Sequence, residues 1–224
     1  MTITAAADGS ALGNPGPAGW AWYVDDTRWD AGGWKHATNN IGELTAVLEL
    51  LRATAHLDED LLILCDSQYV INCISKWMPG WKKKGWRKAD GKPVMNLELL
   101  KEIDEAIVGR RFRFEWVKGH AGHPINEAAD TLAPASSEAY SRGGRVPAGP
   151  GYPGAAASAR IEIAVDAEEP AEPESAPESD ALFDWDEPAV HTVELTLTDD
   201  EYRRLVARAR HAGVPVEEFA RSLI

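Results

Sequence analysis

From residue 61 the chain reads Leu61-Leu62-Ile63-Leu64-Cys65 without a polar interruption, then turns abruptly to Asp66-Ser67-Gln68. An apolar run of this length predicts a strand covered on both faces. Residues 2–8 can form another strand, although alanines dominate them. Asp8-Gly9-Ser10 ends it, and the turn-rich Gly13-Asn14-Pro15-Gly16-Pro17 follows. Residues 19–24 and 30–37 read as two more strands, separated by Asp25-Asp26-Thr27, a spacing that makes an antiparallel meander. The period then becomes helical. Leu44, Val47, Leu48, Leu51 and Ala55 share one face, and Thr38-Asn39-Asn40 supplies natural caps.

Beyond the central strand a helix is predicted over 67–77, with Val70, Ile71 and Ile74 inward and Pro79-Gly80 as its breaker. A further helix covers 96–107 on Leu97, Leu100, Ile103 and Ile107. A fifth strand covers 112–117, and a last helix roughly 125–132. Three antiparallel strands feeding through crossover helices into two more predict a mixed α/β fold. Its five-stranded sheet has helices on both faces, and strand 1 lies beside strand 4.

Composition divides the 224 residues. Residues 1–136 hold every lysine and read as one globular domain. Residues 137–189 are rich in Pro, Ala and Glu, and 166–187 carry ten acids and no base, which predicts an extended disordered linker. Of the net charge of −13, −3 falls on 1–136 and −10 on the remainder, so the overall acidity says little about what the first domain binds. Two cysteines, Cys65 and Cys73, are too few for a disulfide framework and read as reduced core thiols. With no secretory segment and no long apolar run, the expectation is a soluble cytoplasmic protein without a membrane partner.

Four carboxylates take similar places in this scheme: Asp8 at the end of strand 1, Glu43 in the first turn of the first helix, Asp66 at the end of strand 4, and Asp130 on the last helix. Taken singly, each reads as a surface residue. Taken together they crowd like charges, which requires a compensating cation or raised pKa values. Oxygen-only ligation suits Mg²⁺, with Mn²⁺ as a substitute, and two such ions could position water and stabilise a leaving 3′ oxygen. His120, between two glycines just upstream of the Asp130 helix, is placed to carry a proton or help a product leave. His123, before Pro124, shapes the helix start. Between residues 76 and 92 seven bases, Lys76, Lys82, Lys83, Lys84, Arg87, Lys88 and Lys92, face one acid, Asp90, and Trp77, Trp81 and Trp86 interleave with them. Charge with aromatic surface is a phosphate-backbone grip, in which Trp81 at least seats the protrusion on the domain.

These motifs resemble type 1 ribonuclease H of the bacterial kind that carries a basic protrusion. The likeness rests on Asp8-Gly9-Ser10 with Gly13-Asn14-Pro15-Gly16-Pro17, on Thr38-Asn39-Asn40 with Glu43-Leu44, and on Cys65-Asp66-Ser67-Gln68-Tyr69-Val70. It continues through Gly80-Trp81-Lys82-Lys83-Lys84-Gly85-Trp86 and Trp116-Val117-Lys118-Gly119-His120-Ala121-Gly122-His123-Pro124 to Asn126-Glu127 and Asp130, and covers 2–134. The resemblance implies a metal-dependent endonuclease that cuts the RNA strand of an RNA–DNA hybrid and leaves 3′-hydroxyl and 5′-phosphate ends. It makes Asp8, Glu43, Asp66 and Asp130 metal ligands and His120 the mobile catalytic histidine. Asn14, Asn40 and Gln68 would read 2′-hydroxyls and base edges in the minor groove. Thr38 would belong to a pocket for a DNA-strand phosphate, and Trp81, Lys82, Lys83, Lys84, Trp86 and Lys88 to the hybrid-steadying handle. Ile41-Gly42 departs from the pattern, since a basic residue and a larger one are common there. The first change removes a phosphate contact, and the glycine weakens the helix start by up to about 1 kcal/mol.

Residues 190–224 are patterned again. Val193, Leu195 and Leu197 alternate with polar residues, Thr198-Asp199-Asp200-Glu201 is a capping box, and two short amphipathic helices follow, divided at Gly213. About 35 residues with one strand are too few to be stable alone. The pattern over 192–223 resembles a ribbon-helix-helix module and implies a homodimer through this segment. A DNA-binding regulatory dimer with the nuclease secondary is the rival reading. Glu194 on the strand face, repelling phosphate, argues against it.

Overall fold

The computed structural model describes residues 1–144 and 148–155, so the acidic stretch and the 190–224 module lie outside the described residues. Five strands form one sheet in the order β3-β2-β1-β4-β5: β1 (Thr2–Ala11), β2 (Gly16–Asp25), β3 (Arg28–Ala37), β4 (Asp60–Cys65) and β5 (Phe112–Trp116). The first three pair antiparallel, whereas β4 runs parallel to both β1 and β5, giving the mixed topology expected. Among the described residues no helix is long and apolar enough to cross a membrane.

Strand alternation assigns the two faces. Ala5, Ala7, Trp20, Trp22, Ile63 and Cys65 pack with Leu44, Val47, Leu48 and Leu51 of helix α1 (Asn39–Ala53) in the main core. Ala6, Leu64, Ala21 and Ala31 point the other way, where Ala129 and Ala133 cover them. The alanines that make β1 a poor strand by propensity let a helix lie close on each side of it. Residues 5, 6 and 7 are each at most 2% exposed. Ala55 falls beyond the end of α1 and is exposed rather than inward.

The predicted break at Pro79-Gly80 is not a break. The helix that starts as α2 (Gln68–Asn72), capped by the Ser67 hydroxyl, passes through a π turn over Cys73–Trp77 and continues as α3 (Met78–Lys83). Pro79 directly follows the π turn, and the helix continues past it although proline supplies no N–H there. Helix α4 (Leu97–Ala106) buries Leu99, Leu100 and Ile103.

The final helix, α5 (Pro124–Ser141), runs well past residue 132 and carries Pro134 inside it. The expected boundary at 136 therefore falls within α5, where Ser136 and Ser137 are buried. Their hydroxyls donate to the carbonyls of Leu132 and Pro134 at 2.9 and 2.8 Å, so small polar residues are satisfied along the helix itself. Nor is the chain after α5 uniformly linker. Gly149 N–H donates to Asp30 Oδ1 (2.9 Å) and Gly151 N–H to Trp29 O (3.0 Å). Arg28 Nη1 donates to the Tyr152 hydroxyl at 3.1 Å with its guanidinium over the ring, and His56 Nε2 meets Pro153 O at 3.0 Å.

Candidate active site

Register brings the first two acids together. Ala6 pairs with Leu64 across parallel β1 and β4, so two residues further on Asp8 and Asp66 point to the same face of the sheet. Asp8 lies inside β1 opposite Ala21, not at the strand's end, while Asp66 immediately follows β4. That face is the one α5 covers, and α5 delivers Asp130. One carboxylate oxygen from each of Asp8, Asp66 and Asp130 lies within 4.8 Å of the other two.

Glu43 arrives from the opposite layer. A Cβ on Gly9 would stand 2.1 Å from Glu43 N, and one on Gly42 would stand 2.7 Å from Gly19 O and 3.2 Å from Gly9 Cα. Gly42, whose sequence context reads as a helix-weakening departure, is therefore where α1 crosses the strands at backbone contact. Glu43 lines the same cleft of about 250 Å³ as Asp8, Asp66, Asp130 and His120. It stands apart from the three-aspartate group, because its two oxygens accept from Asn39 Nδ2 (2.8 Å) and Ser67 Oγ (2.6 Å).

The crowding has its electrostatic consequence. Burial first, then the charges of Asp66 and Asp130, push the Asp8 carboxyl well above the usual range, against one hydrogen bond from the Gly9 backbone. Asp130 is raised by burial and by Asp66, with His120 pulling the other way. Asn126 Nδ2 donates to Asp130 Oδ1 at 2.9 Å. The buried Oδ2 makes no hydrogen bond of normal geometry and lies 3.4 Å from Nδ1 of the exposed His120. A cluster of hard oxygen donors with a buried oxygen left open suits a divalent cation, and no cysteine or histidine ligand set competes with it among the described residues.

The other expected residues surround this centre with different degrees of commitment. Asn14 is exposed, and its Oδ1 accepts from Asn39 N at 3.0 Å. Asn40 is partly buried in the first turn of α1, and Gln68 is exposed at the start of α2. Thr38 is only 4% exposed, and its hydroxyl is the N-cap of α1, accepting from Ile41 N. In the protrusion Trp81 packs on Trp77 at 5.7 Å between ring centroids, which seats it as expected. Lys82 is tied to Asp104 on α4 at 2.6 Å, whereas Lys83 and Lys84 are exposed. Trp86 takes a left-handed backbone (φ 62°), fixed by its N–H to Trp81 O and by its carbonyl, which accepts from Val94 N. Lys88 is partly buried, with its N–H on Lys92 O.

Sequence reasoning gave no role in the acidic site to Ser67, Asn39 or Asn126, which hold Glu43 and Asp130. A signal existed for the last of them: Asn126 precedes Asp130 by four residues and so shares its helical face.

The arrangement has close counterparts. A sequence model of the RNase H family matches residues 1–138. The ribonuclease H of Tropheryma whipplei (strain Twist) is 58% identical over 151 residues, covering 67% of this chain and 93% of the relative. Ribonuclease HI of Streptomyces coelicolor is 49% identical over 136 residues, 58% of each chain. Among solved structures, LC9-RNase H1, a type 1 RNase H with the type 2 active-site motif, is similar with a TM-score of 0.54 at 29% identity, over 67% of this chain and 77% of its own. A family match across more than half the sequence, and a relative this similar along nearly its whole length, agree with the sheet order and the acidic centre: the chain belongs to the ribonuclease H family.

Proposed function

We propose that this ribonuclease H hydrolyses the RNA strand of RNA–DNA hybrids with two divalent cations, Mg²⁺ in the first instance, leaving 3′-hydroxyl and 5′-phosphate ends. The observation that carries the reading is the convergence of Asp8, Asp66 and Asp130 within 4.8 Å on one face of the sheet. Asp8, Asp66 and Asp130 would hold the ions, and Glu43 would join them by exchanging its bonds to Ser67 and Asn39. Cations bound there supply Lewis acidity to the scissile phosphate and to the leaving oxygen.

The protein's own residues do the rest. Asn126 holds Asp130 in place, and His120, exposed and 3.4 Å from that carboxylate, carries a proton between cleft and solvent. Asn14, Asn40 and Gln68 contact the minor groove, where the 2′-hydroxyl separates RNA from DNA. Thr38 acts on the DNA-strand phosphate from the helix start it caps, where its oxygen accepts from Ile41 N and its hydroxyl proton remains to be donated. Lys83, Lys84 and Lys88 grip the backbone from a protrusion that Trp81 and Trp86 keep rigid. In this reading the acidic stretch is a tether in a cytoplasmic enzyme, and residues 190–224 pair two copies.

The test compares cleavage of labelled RNA–DNA hybrid, double-stranded RNA and duplex DNA in Mg²⁺ by the wild type and Asp66→Asn. Only the hybrid should be cut, and the substitution should abolish cutting. Equal cleavage of double-stranded RNA would overturn the substrate, and an active Asp66→Asn would overturn the site. Sedimentation of the full chain tests the pairing: a monomer at micromolar concentration removes it.

A further inference from the structure

Asp66 stands one residue past the end of β4, where the ladder that fixes the strand has stopped. The chain leaving β5 takes over. Val117 N–H donates to Cys65 O at 3.1 Å, and the indole Nε1–H of Trp116 donates to Asp66 O at 3.1 Å. Trp116 is 51% exposed, one of few large apolar side chains on the described surface, and its single polar atom is the part turned inward. Three residues on, a Cβ at Gly119 would lie 2.6 Å from Asp66 Oδ2. The same turn then presents His120, with a left-handed backbone (φ 53°), to Asp130.

We propose that Trp116 and Gly119 are positioning residues for Asp66: the indole N–H pins its main chain, and the bare Cα of Gly119 forms the wall against which its carboxylate rests. The proposal rests on the reading of Asp66 as a metal ligand. A carboxylate ligand contributes to affinity only as far as its oxygen is held where the ion sits, and groups that orient ligands typically govern tenfold or more of metal affinity. Asp8 is held within β1 and Asp130 by Asn126. Asp66 has the strand end behind it and this turn around it. A phenyl ring at 116 would keep an aromatic side chain there without the donor to Asp66 O.

The experiment titrates Mn²⁺ into the full-length metal-free protein by calorimetry for the wild type, Trp116→Phe, Gly119→Ala and Asp66→Asn, with hybrid cleavage and a thermal melt for each. Trp116→Phe should lose about tenfold in Mn²⁺ affinity and a similar factor in kcat, with KM for hybrid and the melting temperature little changed. Gly119→Ala, which keeps the indole, should lower both metal affinity and kcat by displacing the carboxylate. Wild-type Mn²⁺ affinity in Trp116→Phe overturns the proposal. A raised KM with unchanged metal affinity overturns it too, because the indole would then be gripping nucleic acid. If Asp66→Asn loses metal and activity while Trp116→Phe and Gly119→Ala lose neither, positioning alone fails. If Asp66→Asn still binds Mn²⁺ and cuts hybrid, the functional reading fails and takes the proposal with it.

Discussion

Asp8→Asn should make the metal-free protein more stable while abolishing hydrolysis. Asp8 lies within 4.8 Å of Asp66 and Asp130, and burial leaves its charge poorly solvated. One like-charge pair at that separation costs about 3.5 kcal/mol at an effective dielectric constant of roughly 20. The raised proton affinity of Asp8 relieves part of this in the folded chain, and asparagine preserves the size of the group, so the net gain is about 2 kcal/mol. For a domain of this size that is roughly 4–8 °C in melting temperature. The sign with pH follows from the raised carboxyls of Asp8 and Asp130. Their protonated forms favour the fold below the unfolded value near 3.9, and that contribution is lost as pH rises through the folded values. The advantage of Asp8→Asn should therefore be small near pH 4 and grow towards pH 8. The assay is a thermal melt with a chelator across that range, repeated in Mg²⁺. At a hundred times its dissociation constant the cation should stabilise the wild type by about 2.7 kcal/mol and the variant by much less. A metal-free Asp8→Asn that melts below the wild type at neutral pH would refute the claim that these carboxylates strain the fold.

Three further outcomes follow from single contacts. Asn126→Ala removes the donor to Asp130 Oδ1 and should lower kcat about tenfold in single-turnover cleavage; unchanged kcat would mean Asp130 needs no support. Gly42→Ala should destabilise, by about 2 kcal/mol in denaturant unfolding, where helix propensity alone predicts a gain of about 1 kcal/mol; a more stable variant would show that α1 can lift off β1 without loss. A chain ending at residue 144 should melt about 5 °C below one ending at 155, because it lacks the bonds that Gly149 and Gly151 donate to β3 and the one that Tyr152 accepts from Arg28; equal melting temperatures would make that contact incidental.

The sheet and the acidic centre were legible because both follow from periodicity. The uninterrupted apolar run at residues 61–65 and the meander set the strand order, and carboxylates placed at equivalent points of neighbouring strands must meet if the strands do. What was not legible depended on partners distant in sequence. The Pro, Ala and Ser content after residue 133 looks the same in a linker as in a helix whose small side chains lie against Gly19, and only the tertiary contact distinguishes them. Pro79 carries a break signal in the sequence, yet it follows a π turn through which the helix continues. The attachment of Tyr152 to Arg28 and His56 depends on side-chain fit, for which a local pattern holds no trace. Glu43 was placed correctly on its helix, but its bonds to Asn39 and Ser67, which separate it from the three aspartates, depend on rotamers.

The small residues and the clustered acids have one cause. For carboxylates from a strand, a neighbouring strand and a helix to converge, the helices on both faces must approach β1 almost to backbone contact. Ala5, Ala6, Ala7, Gly9, Gly19 and Gly42 are what that approach requires. The same closeness drives the acids together and removes the water that would screen them, which is why Asp8 and Asp130 hold their protons more tightly than ordinary carboxylates. A larger side chain at any of these positions would relieve the repulsion by separating the elements, and would lose the cation site in doing so. Stability of the metal-free fold and affinity for the ion therefore both depend on one geometric variable, the distance of α1 and α5 from β1, and the packing lost on widening it outweighs the repulsion relieved. Substitutions that widen it should shift the two measurements in a correlated way, even far from the cleft.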